Sequence, residues 1–264
     1  MNNLIKEAEE KAISIFDIKI PLTINEEEFH SVSEPLGEYN YYEDNIAIYI
    51  NKIQYLTKKY ELNIEKMINY SVCHEYGHAK QARIFEEQQF FPIMIGKYRK
   101  CVYDFERIKI SSEDFHQFIT NLLDFCINKE LKNFEIVDPA VKIALDYLEP
   151  SGPEEYVQFI LTKNLPKHIG YYEFSGLSES ERNDMKSRIV NHVGEKWDYT
   201  CEIMRSLEFS NVENYIKKQS KLIEYLLKQR VYYKELSSEE IFRGRNRPTF
   251  WNKTSYFVTV ISQD

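Results

Sequence analysis

The chain has 264 residues, 43% of them hydrophobic, enough for one large domain or two small ones with a core that needs no covalent staples. A net charge of −8 and a pI near 5.5 argue against a nucleic-acid-binding surface, which would be basic; the local exception is Arg243, Arg245 and Arg247, read as a solvated turn. No CxxC pair joins Cys73, Cys101, Cys126 and Cys201, the charged start Met1–Glu10 is no signal peptide, and no apolar run is long enough for a bilayer, so a reduced, soluble, cytoplasmic protein is expected.

Leu4, Ala8, Ala12 and Ile15 fall at helical spacing and predict a first helix. Ile18, Ile20, Leu22 and Ile24 then alternate strictly, a strand with one buried face that Pro21 pushes towards a sheet edge or a bulge, because proline has no N–H for a ladder. Glu38-Tyr39-Asn40-Tyr41-Tyr42, a turn at Glu43-Asp44-Asn45 and Ile46-Ala47-Ile48-Tyr49-Ile50 predict an antiparallel hairpin. Asn63 suits a helix N-cap, and Ile64, Met67, Ile68, Ser71 and Val72 trace the inward face of the helix it opens. Phe90-Phe91-Pro92 breaks that pattern. An aromatic-rich connection then leads to Ser111-Ser112-Glu113-Asp114, a capping-box spacing that starts a second long helix over 113–132.

From Asp138 the chain reads as almost wholly helical: Asp138-Pro139, Ser178-x-x-Glu181, Ser210-x-x-Glu213 and Ser237-x-x-Glu240 each mark a helix start, and Tyr256–Ile261 reads as a short closing strand. The fold class expected is α+β, mostly helical, with a soft boundary near Asp138. Residues 1–138 carry the sheet and 139–264 form a helical C-terminal subdomain.

Inside the helix that Asn63 opens lies His74-Glu75-Tyr76-Gly77-His78, an HExxH pentapeptide. Histidines at i and i+4 project from one helix face, so both imidazoles can reach a single zinc ion, and the glutamate beside the open metal position can take a proton from water. Gly77 is unusual in a helix interior, where it costs about 1 kcal/mol relative to alanine, and it suggests that something packs closely against that turn. Zinc in a catalytic site usually has three protein ligands. The longer pattern HExxHxxGxxH fails, because Gln81 and Ile84 stand where it needs Gly and His.

The second long helix offers the missing ligand. Phe115, Phe118, Ile119, Leu122, Leu123, Cys126, Ile127 and Leu131 make it predominantly apolar, yet Gln117, Asn121, Asp124 and Asn128 run through it at spacings of 4, 3 and 4, which is one face. A buried aspartate is rare unless paired or metal-bound, and Asp124 at the centre of the stripe is the expected third ligand. His116 and Glu130 compete for the place, and Asn121 and Asn128 could hold the carboxylate or a histidine, or simply bond helix to helix.

With these residues the chain resembles the zincin metallopeptidases, and within them it is similar to the gluzincin type, in which the HExxH helix supplies two histidines and a later helix a carboxylate. The resemblance covers Asn63 to Arg83 best, reaches back to Ile18 and forward to Lys132, and has no motif beyond. It implies a zincin-like catalytic lobe of small twisted sheet plus HExxH helix, a helical second lobe and a substrate cleft between them. One Zn2+ would be held by His74, His78 and Asp124, with Glu75 as general base of a hydrolase acting on a peptide or protein. Two departures stand out: Asp124 replaces the usual glutamate without an ExxxD or NExxxD run, and the GTxxD signature of the aspzincins, which do use aspartate, is absent.

Substrate would most simply add as a strand along Asn45 to Asn51. A tetrahedral oxyanion wants a further donor, for which His168, Tyr171, Tyr172, His192 and Tyr199 are candidates of equal standing. The rival expectations are a zincin-fold binding protein whose metal is structural or absent, and a metal-dependent hydrolase of non-peptide substrates. An intact Glu75 weighs against the first, since a structural site needs no base.

Overall fold

A computed structural model describes residues 1–27, 35–41, 43–88, 99–104, 112–139, 141, 152–227 and 230–235, without the side chains of 86, 99–104, 112, 113, 115, 116 and 230–235. Among these residues the fold is α+β and mostly helical. In chain order α1 (Asn2–Phe16) leads to strands β1 (Leu22–Asn25), β2 (Gly37–Asn40) and β3 (Asn45–Tyr49), then α2 (Ile50–Lys59) and the long α3 (Ile64–Glu87). There follow β4 (Arg99–Asp104), α4 (Ser112–Lys132), α5 (Glu154–Phe174), α6 (Glu179–Val193), α7 (Lys196–Arg205), α8 (Val212–Leu226) and β5 (Arg230–Glu235).

The three-stranded sheet has the order β1-β3-β2, with β1 parallel and β2 antiparallel to β3. The β2–β3 hairpin turns at Asp44, whose φ of 47° is the left-handed conformation that a short polar side chain tolerates. Pro21 lies just before β1, an edge strand, and its carbonyl accepts from Ile46 N–H at 2.8 Å. Because β3 is paired on both sides, the expectation that a substrate strand adds along Asn45 to Asn51 is overturned. The edge nearest α3 is β2, and the residues from Ile50 onwards are already helix α2.

Two apolar cores meet along α3 and α4, Phe85 at the end of α3 packing into the second. The first packs α1 and the sheet on α2 and α3, through Ala8, Ala12, Phe16, Ile46, Ile48, Ile53, Met67, Val72 and Tyr76. The second is helical and gathers Phe118, Leu122, Leu165, Ile169, Met185, Trp197, Met204, Tyr215 and Leu222. Helix α4 serves both: Phe118 to Cys126 face the helical core, while Ile127 and Leu131 belong to the sheet-side core. Its apolar residues surround the helix because it has neighbours on both sides, which is how an element becomes buried all round.

Asn63 caps α3 through Oδ1, which accepts from Lys66 N–H at 2.9 Å, and Ser178 with Glu181 forms a complete capping box on α6. The cap of α8 is not Ser210. Asn211 takes the place, its Oδ1 accepting from Asn214 N–H at 3.0 Å; two adjacent residues offered the same chemistry and the chain turned at the second. The second half is also less purely helical than expected, since β5 pairs antiparallel with β4 along six residues each. The cap at Ser111, the Phe90-Phe91-Pro92 break, the start at Ser237, the strand Tyr256–Ile261 and the Arg243 to Arg247 cluster lie outside the described residues, as does most of the helix expected after Asp138-Pro139. No helix among the described residues is long and apolar enough to cross a membrane.

Candidate metal centre

Helix α3 brings His74 and His78 to one face a turn apart, their rings 4.9 Å between centroids and nearly perpendicular. Helix α4 approaches that face closely because Gly77 has no side chain. A Cβ there would stand 2.6 Å from Ile127 Cγ2, so the glycine sets the spacing of the two helices. Gln81 Nε2 donates to the Leu123 carbonyl at 3.0 Å, and the Tyr70 hydroxyl donates to Asn128 Oδ1 at 3.0 Å, fixing the register on either side. Between these two ties Asp124 meets the histidines.

Asp124 Oδ1 lies 3.4 Å from His74 Nε2 and 3.2 Å from His78 Nε2. Despite these short distances Oδ1 is buried without an aligned hydrogen-bond donor. For tetrahedral zinc with bonds of about 2.0–2.2 Å, ligand atoms stand about 3.3–3.5 Å apart. The two histidine–aspartate separations are close to that edge length and all three donor atoms lie within 4.8 Å of one another, so two imidazoles and one carboxylate form a donor set of the kind zinc takes, and this trio is the group of the described residues that could hold a metal. The side chain of His116 is outside the description. Glu130 lies elsewhere on α4, at its exposed C-terminal end, its carboxyl raised by partial burial with Lys80 opposing.

Electrostatics within the trio are strongly coupled. Burial disfavours a charged His74, but the Asp124 carboxylate beside it, helped by Glu75 and Asp138, overrides burial and lifts His74 to about 9. Burial pushes Asp124 the other way from its neighbours, and the two histidines win, holding it well below the usual carboxylate range. His74 and Asp124 therefore each favour the charged form of the other.

Glu75 is 8% exposed and points to the other side of the histidines, towards β2. Its carboxyl is raised by burial, with His78 and His74 opposing, and the Tyr39 backbone N–H hydrogen-bonds it. Gly37 makes this approach possible: a Cβ at that position would stand 2.9 Å from Glu75 Cγ and 2.9 Å from Ile48 Cδ1. The start of β2 is therefore shaped around the glutamate.

A cleft of about 210 Å³ opens onto the trio. Its walls are Pro35 to Gly37 before and on β2, Tyr70, His74 and Glu75 on α3, Asn121, Asp124 and Asn128 on α4, and Pro166, Lys167, Gly170 and Tyr171 on α5, with Asp138 between. Of the five candidate oxyanion donors, Tyr171 lines the cleft, its hydroxyl raised well above 10 by burial and by Asp138 and Asp124. His168 is turned into the helical half, where burial and Lys167 push it down to about 3. Tyr172 packs on Trp197, Tyr199 on Tyr225, and the His192 carbonyl accepts from Gln158. Asn128 turns out to bond helix to helix through Tyr70, while Asn121 is 5% exposed with its Nδ2 unpartnered, a state that costs a buried amide about 1–3 kcal/mol.

Sequence reasoning passed over Tyr70, Gly37 and Tyr39. Tyr70 stands one helical turn before His74, its ring 5.3 Å from the imidazole, and the i, i+4 rule that paired the histidines would have found it. Gly37 and Tyr39 are near Glu75 only through tertiary packing. Cys73, Cys126 and Cys201 are free and buried, and burial raises the thiols of the first two to about 12 and the third to about 11. No protein-family model, curated protein or solved structure matches the chain.

Proposed function

We propose that the chain is a zinc-dependent metallopeptidase of the zincin kind, a hydrolase of peptide bonds. The observation that carries this reading is the convergence of His74, His78 and Asp124, whose donor atoms lie within 4.8 Å of one another, with Glu75 beside them on the wall of a cleft. When bound, zinc supplies Lewis acidity, which makes water nucleophilic near neutral pH and polarises a carbonyl. His74, His78 and Asp124 would hold it.

Glu75 accepts the proton of the attacking water at its carboxylate and returns it to the leaving amine. Its raised carboxyl suits both transfers, since a base closer to neutral gives the proton back more readily. The Tyr39 N–H and the close fit of Gly37 hold that carboxylate at the cleft wall. Tyr171 offers a hydroxyl on the opposite wall, where it can donate to developing negative charge. An extended peptide lies along the outer edge of β2, whose main chain supplies pairing next to Glu75.

Metal analysis and cleavage of a mixed peptide pool test this together. The expected result is one zinc per chain and metal-dependent cleavage, lowered by about 10²- to 10⁴-fold in Glu75→Gln with zinc retained. Cleavage that survives Glu75→Gln sinks the mechanism, and zinc without cleavage favours a binding protein.

A further inference from the structure

Among the described residues that line the cleft, Lys167 is the single lysine or arginine. It lies on the face that α5 turns to the cleft, one helical turn before Tyr171. The two side chains touch: Lys167 Nζ stands 5.8 Å from the centre of the Tyr171 ring, within reach of the electron-rich face of an aromatic on the same wall. That contact draws the ammonium along the cleft wall.

Basic side chains nearby find acids. Lys163, one turn earlier on α5, pairs with Asp114 at 2.6 Å, and Arg205 pairs with Glu173. Lys167 is exposed and has no ion-pair partner among the described residues, although Glu75, Asp124 and Asp138 line the same cleft. Those three carboxylates all act on His74 and favour its charge. The cleft is thus divided, with its acids about His74 and an unpaired cation on the α5 wall.

In the open cleft water satisfies the ammonium. A substrate that fills a space of about 210 Å³ displaces that water, and a cation so covered needs an acceptor, best an anionic one. Spacing says where on the substrate it falls. One turn of α5 is about 5.4 Å of rise, while an extended peptide advances about 3.3 Å per residue. With the reacting carbonyl at Tyr171, a group at Lys167 belongs one or two residues along the peptide.

We propose that Lys167 is a specificity-determining residue that pairs with a carboxylate of the substrate, one or two residues from the bond that is cut. This role rests on the reading of the cleft as a zinc peptidase site. Two groups offer the chemistry: the free carboxylate of a chain end, or the side chain of an aspartate or glutamate within a chain.

The test sets an acetylated peptide pool, once with free and once with amidated C-termini, against zinc-loaded wild type, Lys167→Gln and Lys167→Glu. Cut sites are read by mass spectrometry. Wild type should cleave peptides with a carboxylate at that spacing with kcat/KM about 5- to 30-fold above their neutral counterparts. Preference lost on amidation identifies the chain end, and cuts gathered beside Asp and Glu in both pools identify the side chain. Lys167→Gln should erase the preference, chiefly through KM, and Lys167→Glu should turn it towards lysine and arginine. Zinc content and thermal midpoint should stay unchanged, since the side chain is exposed. Calorimetry on the Glu75→Gln protein, with the preferred peptide and its neutral twin, should show the same difference in affinity without turnover. Zinc-dependent cleavage that is indifferent to carboxylates overturns the assignment and leaves the zinc reading intact, as does a preference that survives Lys167→Glu. A wild-type chain that takes up no zinc or cleaves nothing fails the underlying reading, and the role of Lys167 with it.

Discussion

Helix α4 carries two inward aspartates about 15 Å apart along its axis, and they meet opposite fates. Asp114 faces α5 and forms a closed ion pair: Lys163 Nζ donates to Oδ1 at 2.6 Å, with the lysine side chain 10% exposed. Asp124 faces α3, is approached by two histidines at 3.2 and 3.4 Å, and still has an oxygen without an aligned donor. A charge that the fold needs only for itself is matched by an opposite charge in hydrogen-bond geometry. Asp124 instead stands between two imidazoles, a donor set that also suits a divalent metal.

The difference can be broken from either end. Asp124→Asn should weaken zinc binding on the order of 10³-fold, one ligand's share of a zinc-binding free energy of roughly 10–16 kcal/mol, and abolish any zinc-dependent rise in thermal midpoint. Equilibrium dialysis against a zinc buffer measures it, and an unchanged affinity means that Asp124 is no ligand. Lys163→Met should do the reverse: a loss of about 1–3 kcal/mol in denaturant unfolding, from removal of a charged hydrogen bond to Asp114, with one zinc still bound. Loss of zinc from that variant would mean that the two aspartates are not independent.

Proton competition sharpens the contrast further. His74 of the metal-free protein is lifted to about 9, so below that pH zinc must displace its proton, and affinity should rise about tenfold per pH unit on the way up to it. A flat affinity between pH 6 and 8 contradicts the ion pair. Gly77→Ala should have the smallest effect. The clash with Ile127 costs about 1–3 kcal/mol and the gain in helix propensity returns about 1, leaving a net destabilisation on the order of 1 kcal/mol, visible as a lower denaturant midpoint. A higher midpoint would show that the two helices do not need this spacing.

Asp124 was legible in the sequence because a polar stripe at 4, 3 and 4 through an apolar helix is a contradiction within a single element, and local contradictions need no tertiary information. Gly77 was legible for the same reason, although its partner Ile127 was not. Helix α2 escaped because Ile50 closes an alternating run and opens a helix at once, so the strand pattern absorbed its first turn. The β4–β5 ladder escaped for a different reason: Cys101 pairs with Tyr233, and neither sequence neighbourhood announces a partner that distant. Tyr171 could not be told apart from 19 other tyrosines, since what distinguishes it is the cleft that α5 walls. The substrate edge was misread because the hairpin pattern gives two paired strands, while β1 joining β3 in parallel decides which of them is left at the edge.

The position of α4 between two cores has a consequence for motion. Neither half of the molecule can open along this helix without uncovering the other, so the amides of Ile119 to Leu131 should exchange with solvent only through the largest opening of the chain. A metal that ties α3 to α4 would then slow exchange as far as Leu165 and Ile169, which pack on the opposite side and touch no ligand. The residues proposed to hold zinc sit where the two described cores pack together, and whatever adjustment a substrate requires falls to β2 and α5 at the rim.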